Sequence, residues 1–102
     1  MASKKKSPYR LRVPAEVATL IRSLHPQLKR KVKSSLNLIL SDPHAGKSLK
    51  EDLKGLQSYK VGRFRIIYRI TPKGAVELIT IGPRKTIYEE TYKIVKKEVQ
   101  NE

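Results

Sequence analysis

The residues of this chain with the means to do chemistry are its cations. From Lys54 to Lys73 there are six basic residues, Lys54, Lys60, Arg63, Arg65, Arg69 and Lys73, and no Asp or Glu. Within that stretch, Arg63 to Ile70 alternates with the period of a strand. Phe64, Ile66, Tyr68 and Ile70 point one way; Arg63, Arg65, Ile67 and Arg69 point the other. Like charges side by side on a sheet repel one another, so such a face needs anionic company or open water. A phosphate-binding face fits this composition better than a merely solvated one. Arginine suits the role because its planar fork meets phosphate through two hydrogen bonds and keeps its proton.

Other reactive types are sparse. His25 and His44 each neighbour a proline in a predicted loop, and the chain has no cysteine. Two isolated histidines make neither a metal-ligand set nor an acid–base pair, so neither a metal nor another cofactor is expected. Ser34 and Ser35 sit inside a predicted helix without a base and read as polar surface. Tyr92 falls on a helical apolar stripe and reads as core. Tyr88 lies on the same stripe, where packing and chemistry compete evenly.

Charge dominates the whole chain. Its 102 residues carry 23 Lys and Arg against 9 Asp and Glu, a net charge of +14. Lys4, Lys5 and Lys6 supply only three of these cations, so a basic arm does not explain the imbalance. An excess of this size points to a polyanionic partner. The length fits one domain. No apolar run approaches the roughly 20 residues that span a bilayer, and no signal-type apolar segment follows the basic N-terminus. A cytoplasmic protein without a membrane partner is the expectation.

Several elements must position these cations. Residues 1–7 read as a flexible basic tail, and 8–102 as one domain. Tyr9 to Val13 alternates as a short strand. Pro14 suits a first helical position, and Val17, Leu20, Ile21 and Leu24 form a helical stripe. His25-Pro26 ends that helix and opens a second, whose stripe is Leu28, Val32, Leu36, Ile39 and Leu40, with Lys29, Arg30, Lys31 and Lys33 on its polar side. Asp42-Pro43 stops it. Residues 44–58 read as loop. Tyr59–Val61, Arg63–Ile70 and Ala75–Ile81 read as strands joined at Gly62 and Pro72-Lys73-Gly74. Tyr88, Thr91, Tyr92, Val95 and Val99 mark a last helix. The predicted fold is α+β in the order β-α-α-β-β-β-α: an N-terminal strand, an antiparallel helix hairpin, an antiparallel sheet and a C-terminal helix, with the helices mostly on one face.

Two stretches of this pattern resemble the RelE/ParE toxin family of type II toxin–antitoxin systems. The run from Tyr59-Lys60-Val61-Gly62 to Ile70 is similar to the family's central strand pair. The run Ile81-Gly82-Pro83-Arg84-Lys85-Thr86-Ile87-Tyr88 is similar to its closing motif. The helix hairpin and Leu53-Lys54-Gly55-Leu56 agree in order and spacing. Two departures stand out: Pro83 replaces a frequent histidine, removing an acid or base, and Arg63 stands where an acidic residue is common, adding charge.

The resemblance implies a RelE-like fold and, by the RelE branch, a metal-independent, ribosome-dependent mRNA endonuclease that blocks translation. It implies Lys60, Arg65, Arg84 and Tyr88 as catalytic residues. Arg65 would stabilise charge on the phosphate in flight, and Arg84 would protonate or neutralise the leaving 5′ oxygen. Lys60 would help deprotonate the 2′-hydroxyl or hold the phosphate; Tyr88 would stack on a base or assist proton transfer. Lys29, Arg30, Lys33, Lys54, Arg63, Arg69 and Lys85 would bind mRNA and the rRNA of the small ribosomal subunit. A cognate antitoxin would silence the protein. The alternatives are a ParE-like gyrase inhibitor without catalysis and a non-catalytic RNA- or ribosome-binding protein.

Overall fold

The computed structural model describes residues 9–100, with side chains through Glu98; the tail expected at residues 1–7 and the stripe residue Val99 lie outside this description. The element order is β1 (Arg10–Arg12), α1 (Ala15–Arg22), α2 (Pro26–Ser41), β2 (Lys47–Ser48), β3 (Gln57–Val61), β4 (Phe64–Ile70), β5 (Ala75–Pro83) and α3 (Ile87–Gln100). Five strands form one sheet in the order β1-β5-β4-β3-β2. The predicted α+β class holds, but the sheet is mixed: β1 runs parallel to β5, pairing Arg10 with Ala75 and Arg12 with Glu77. Alternation along one strand cannot tell which neighbour it will join, or in which direction.

The helix hairpin forms where the chain punctuates it. Pro14 caps α1 rather than opening it, its carbonyl accepting from the Ala18 N–H at 2.9 Å. Pro26 opens α2, and His25 serves as its N-cap, with Nδ1 accepting from the Gln27 N–H at 3.4 Å. Asp42-Pro43 ends the helix as expected. Both helices lie on one sheet face. Val17, Ile21, Val32, Leu36 and Ile39 pack there against Val61, Ile66, Tyr68, Val76, Leu78 and Ile81. Removing one such branched side chain to Ala costs about 2–5 kcal/mol. Ser35, read as surface, is buried with this stripe, whereas Ser34 is exposed. Leu20, expected in the core, is 41% exposed.

The opposite face corrects a further expectation. α3 does not join the hairpin but covers the other side of the sheet, where Leu56, Ile67 and Ile87 form a second core with Leu49, Leu53, Ile79 and Val95 beside it. Ile67 was expected among arginines on an open face and is fully buried. An apolar side chain on that face needs cover, and α3 supplies it. The inward stripe of α3 accordingly runs Ile87, Thr91 and Val95, leaving Tyr88 and Tyr92 at the surface. Buried Thr91 is accommodated because its hydroxyl donates to the Ile87 carbonyl at 2.7 Å. Tyr92 is 41% exposed, with the Lys96 ammonium 5.9 Å from its ring centre.

The stretch 44–58, read as loop, carries more order than its composition suggests. Short 3-10 turns cover Pro43–Ala45 and Glu51–Leu53, and β2 pairs with the start of β3. The buried Tyr68 hydroxyl fixes this segment. It donates to the Pro43 carbonyl at 2.7 Å, accepts from the Gly46 N–H at 3.1 Å, and has Gln57 Oε1 at 3.2 Å as a second acceptor. Burial first of all, with Asp42 and Tyr59 adding, pushes this hydroxyl's pKa above the ordinary 10.0, against the Gly46 hydrogen bond that lowers it.

Candidate functional site

The site begins at the β3–β4 hairpin. Gly62 turns the chain with φ of 60°, a left-handed value that a side chain resists, and places Arg63 in the turn rather than in the strand. Register then sets Lys60 directly opposite Arg65, and Arg65 opposite Gly82 on β5. Because side chains alternate, Lys60 shares its face with Ser58, and Arg65 shares its face with Ile67. This is the α3 side of the sheet. Lys60 is exposed and Arg65 half-buried, its Nη1 donating to the Phe64 carbonyl at 3.3 Å.

Gly82 leaves room for the start of α3. A Cβ there would stand 3.0 Å from Ile87 Cδ1 and 3.6 Å from Glu90 Oε1. α3 can therefore press its first turn onto the sheet beside Arg65. That turn brings Tyr88 down to β3, where its hydroxyl lies 3.0 Å from Ser58 Oγ. Lys60, Arg65 and Tyr88 are thus gathered on one face from three elements. Glu90 adds a carboxylate over Gly82, so the face is not free of acid as the strand sequence implied.

Arg84 stands at the rim. Its N–H donates to the Arg63 carbonyl at 2.8 Å, tying the β5–α3 loop to the hairpin turn. Arg63, Pro83, Arg84 and Lys85 line an open depression of about 790 Å³ there. A second depression of about 340 Å³ is lined by Lys47, Ser48, Leu49, Lys50 and Tyr88. Sequence reasoning missed Lys47 and Lys50, since nothing in an irregular stretch says it will fold back beside α3.

The remaining candidates divide. Lys54 is exposed after a 3-10 turn that packs on α3, on the same side as Tyr88. Lys29, Arg30 and Lys33 belong to α2, across the sheet from Lys60 and Arg65, so the fold does not bring them to the same site. Arg69 is occupied: its Nε bonds Glu77 Oε1 at 2.8 Å, and its Nη1 lies 3.7 Å from Glu98 Oε1. The expected row of three open arginines becomes one in a turn, one half-buried and one ion-paired.

A mixed five-stranded sheet with a helix pair on one face and a C-terminal helix on the other is the architecture of the RelE toxins. The chain aligns with a free-state arginine double mutant of the toxin RelE from E. coli at TM-score 0.74 and 20% identity, covering 90% of this chain and 98% of that one. The RelBE2 toxin–antitoxin complex from Mycobacterium tuberculosis gives 0.67 and 25% identity, covering 76% and 99%. The archaeal RelE–RelB complex from Pyrococcus horikoshii gives 0.63 and 19%, covering 76% and 96%. No curated protein sequence matches the chain significantly. A family model described as ParE-like toxin of type II bacterial toxin–antitoxin systems matches residues 12–93. The chain belongs to this family of toxins.

Proposed function

We propose that this toxin is an endoribonuclease that cuts mRNA in the A site of the ribosome. The observation that carries the proposal is the cross-strand pair of exposed Lys60 and half-buried Arg65 on the α3 side of the sheet, with Tyr88 beside it and Arg84 tied to the hairpin turn. RNA brings its own nucleophile. A protein that aligns the 2′-oxygen with the adjacent phosphorus lets it attack in line, forming the new O–P bond as the bond to the 5′ oxygen breaks. The products are a cyclic 2′,3′-phosphate and a free 5′-hydroxyl. Arg65, held by the strand, would stabilise the charge building on the phosphoryl oxygens. Lys60 would hold the phosphate or take the 2′ proton, and the exposed Arg84 would neutralise the leaving oxygen. Tyr88, its hydroxyl already engaged by Ser58, offers its ring to a base.

Arg63, Lys54 and Lys85, with Lys47 and Lys50, would extend the contact to the RNA backbone on the same side; Lys29, Arg30 and Lys33 could meet rRNA only on the far layer. A cognate antitoxin would silence the toxin by laying an acidic segment on the basic face, a reading supported by structural neighbours that are toxin–antitoxin complexes. The family model itself favours a second reading, gyrase inhibition without catalysis, since it is described as ParE-like. Primer extension on a defined mRNA in a translating extract separates them. Ribosome-dependent cuts within codons, lost in Arg65→Ala, are expected. Intact mRNA together with inhibited DNA supercoiling would transfer the protein to the second reading.

A further inference from the structure

A second cationic surface lies at the far end of the sheet from Arg65. Arg10 and Arg12 are both exposed on β1, two residues apart and therefore on one face, roughly 7 Å apart along the strand. Leu11 between them turns into the core. Because β1 joins β5 in parallel, Arg10 lands beside Ala75, next to the β4–β5 turn that exposes Lys73. Thr71, Pro72 and Ala75 complete an open depression of about 320 Å³ around these three cations. Glu77 is in register with Arg12. It is already engaged, since Arg69 Nε holds its carboxylate at 2.8 Å and also reaches toward Glu98. The ion pair spends the local acids on Arg69 and leaves Arg10, Arg12 and Lys73 outside it.

We infer that Arg10, Arg12 and Lys73 form an accessory docking surface for an RNA phosphate backbone, separate from the Lys60–Arg65 site. The inference rests on RNA being the partner, as proposed above, but not on cleavage. RNA fits better than an acidic protein because three cations, no acid and no aromatic side chain line the depression. Of the Trp, Tyr and Arg on which protein interfaces centre, only Arg is present, whereas a cluster of cations is the mark of a nucleic-acid interface. Backbone contacts of this kind position a protein without reading sequence. A surface at this end of the sheet would fix the toxin's orientation on RNA while the other end meets its target.

The test is a salt titration of binding to a labelled 20-nucleotide oligouridylate, using wild type and the triple variant Arg10→Gln, Arg12→Gln, Lys73→Gln. Three lost contacts to single-stranded phosphate should lower the slope of log K against log salt by about 2. At 0.1 M salt that corresponds to roughly 100-fold weaker binding. Replacing Arg10 and Arg12 by lysine, with Lys73 retained, should keep the slope. A thermal melt controls for folding. An unchanged slope in the triple variant overturns the inference. If RNA binding is unchanged while affinity for a polyglutamate peptide falls, the surface belongs to an acidic protein instead. Should wild type fail to cut mRNA yet lose slope on substitution, the endonuclease reading falls and the docking surface stands.

Discussion

Replacing Tyr68 by Phe isolates the hydroxyl that ties the irregular segment to the sheet. The ring is fully buried and would stay so, leaving core packing nearly unchanged. What disappears is the donor to the Pro43 carbonyl at 2.7 Å and the acceptor for the Gly46 N–H at 3.1 Å. Pro43 is buried and Gly46 partly so, so water reaches the stranded groups poorly. Each buried group left without a partner costs about 1–3 kcal/mol; with Gly46 partly open, about 2–4 kcal/mol in total is expected. In a domain of this size that lowers the melting temperature by roughly 8–32 °C, at about 4–8 °C per kcal/mol. Urea unfolding would measure it, with a shifted midpoint and an unchanged slope. Because Pro43–Gly46 leads into β2, hydrogen exchange should also quicken at Lys47 and Ser48, beside Tyr88. A loss below about 0.5 kcal/mol, the floor for one hydrogen bond, would refute the claim that this hydroxyl anchors the segment.

The same hydroxyl makes a pH prediction. Its pKa is raised above 10.0 in the fold, so between 10 and the raised value the folded state keeps a proton that the unfolded chain gives up. The Tyr68 contribution is fully present below about pH 10 and lost as pH rises through the folded value. The stability gap between wild type and Tyr68→Phe should therefore narrow in alkali, read from urea midpoints at neutral and high pH. Gly82→Ala should cost about 1 kcal/mol, because its Cβ would meet Ile87 Cδ1 at 3.0 Å and that side chain is fully buried; urea unfolding followed by circular dichroism would report it. Arg69→Met strands Glu77, whose side chain is 17% exposed, and should lose about 1–2 kcal/mol of stability. A lowered urea midpoint would report it, and an unchanged midpoint would show that the Arg69–Glu77 pair adds nothing to stability.

The identities and spacing of the residues determined much of this protein. Alternation in β4 put Ile66 and Tyr68 in the core, and the prolines at 26 and 43 set the ends of α2, because local backbone sterics and side-chain period are properties of short segments. The hairpin at Gly62, with Lys60 and Arg65 flanking it closely enough to pair, followed from the same local logic. Only the tertiary structure decided which face α3 would cover. That choice buried Ile67, turned Tyr88 toward Ser58, brought Glu90 over Gly82 and exposed Tyr92. It also decided that β1 would join β5 in parallel, which gathers Arg10, Arg12 and Lys73, and that Glu77 and Glu98 would take Arg69 out of the open row. These depend on contacts between residues far apart in the chain, where apolar surface finds cover and charges find partners. A net charge of +14 is written in the composition; where each cation is free to act is set by what folds against it.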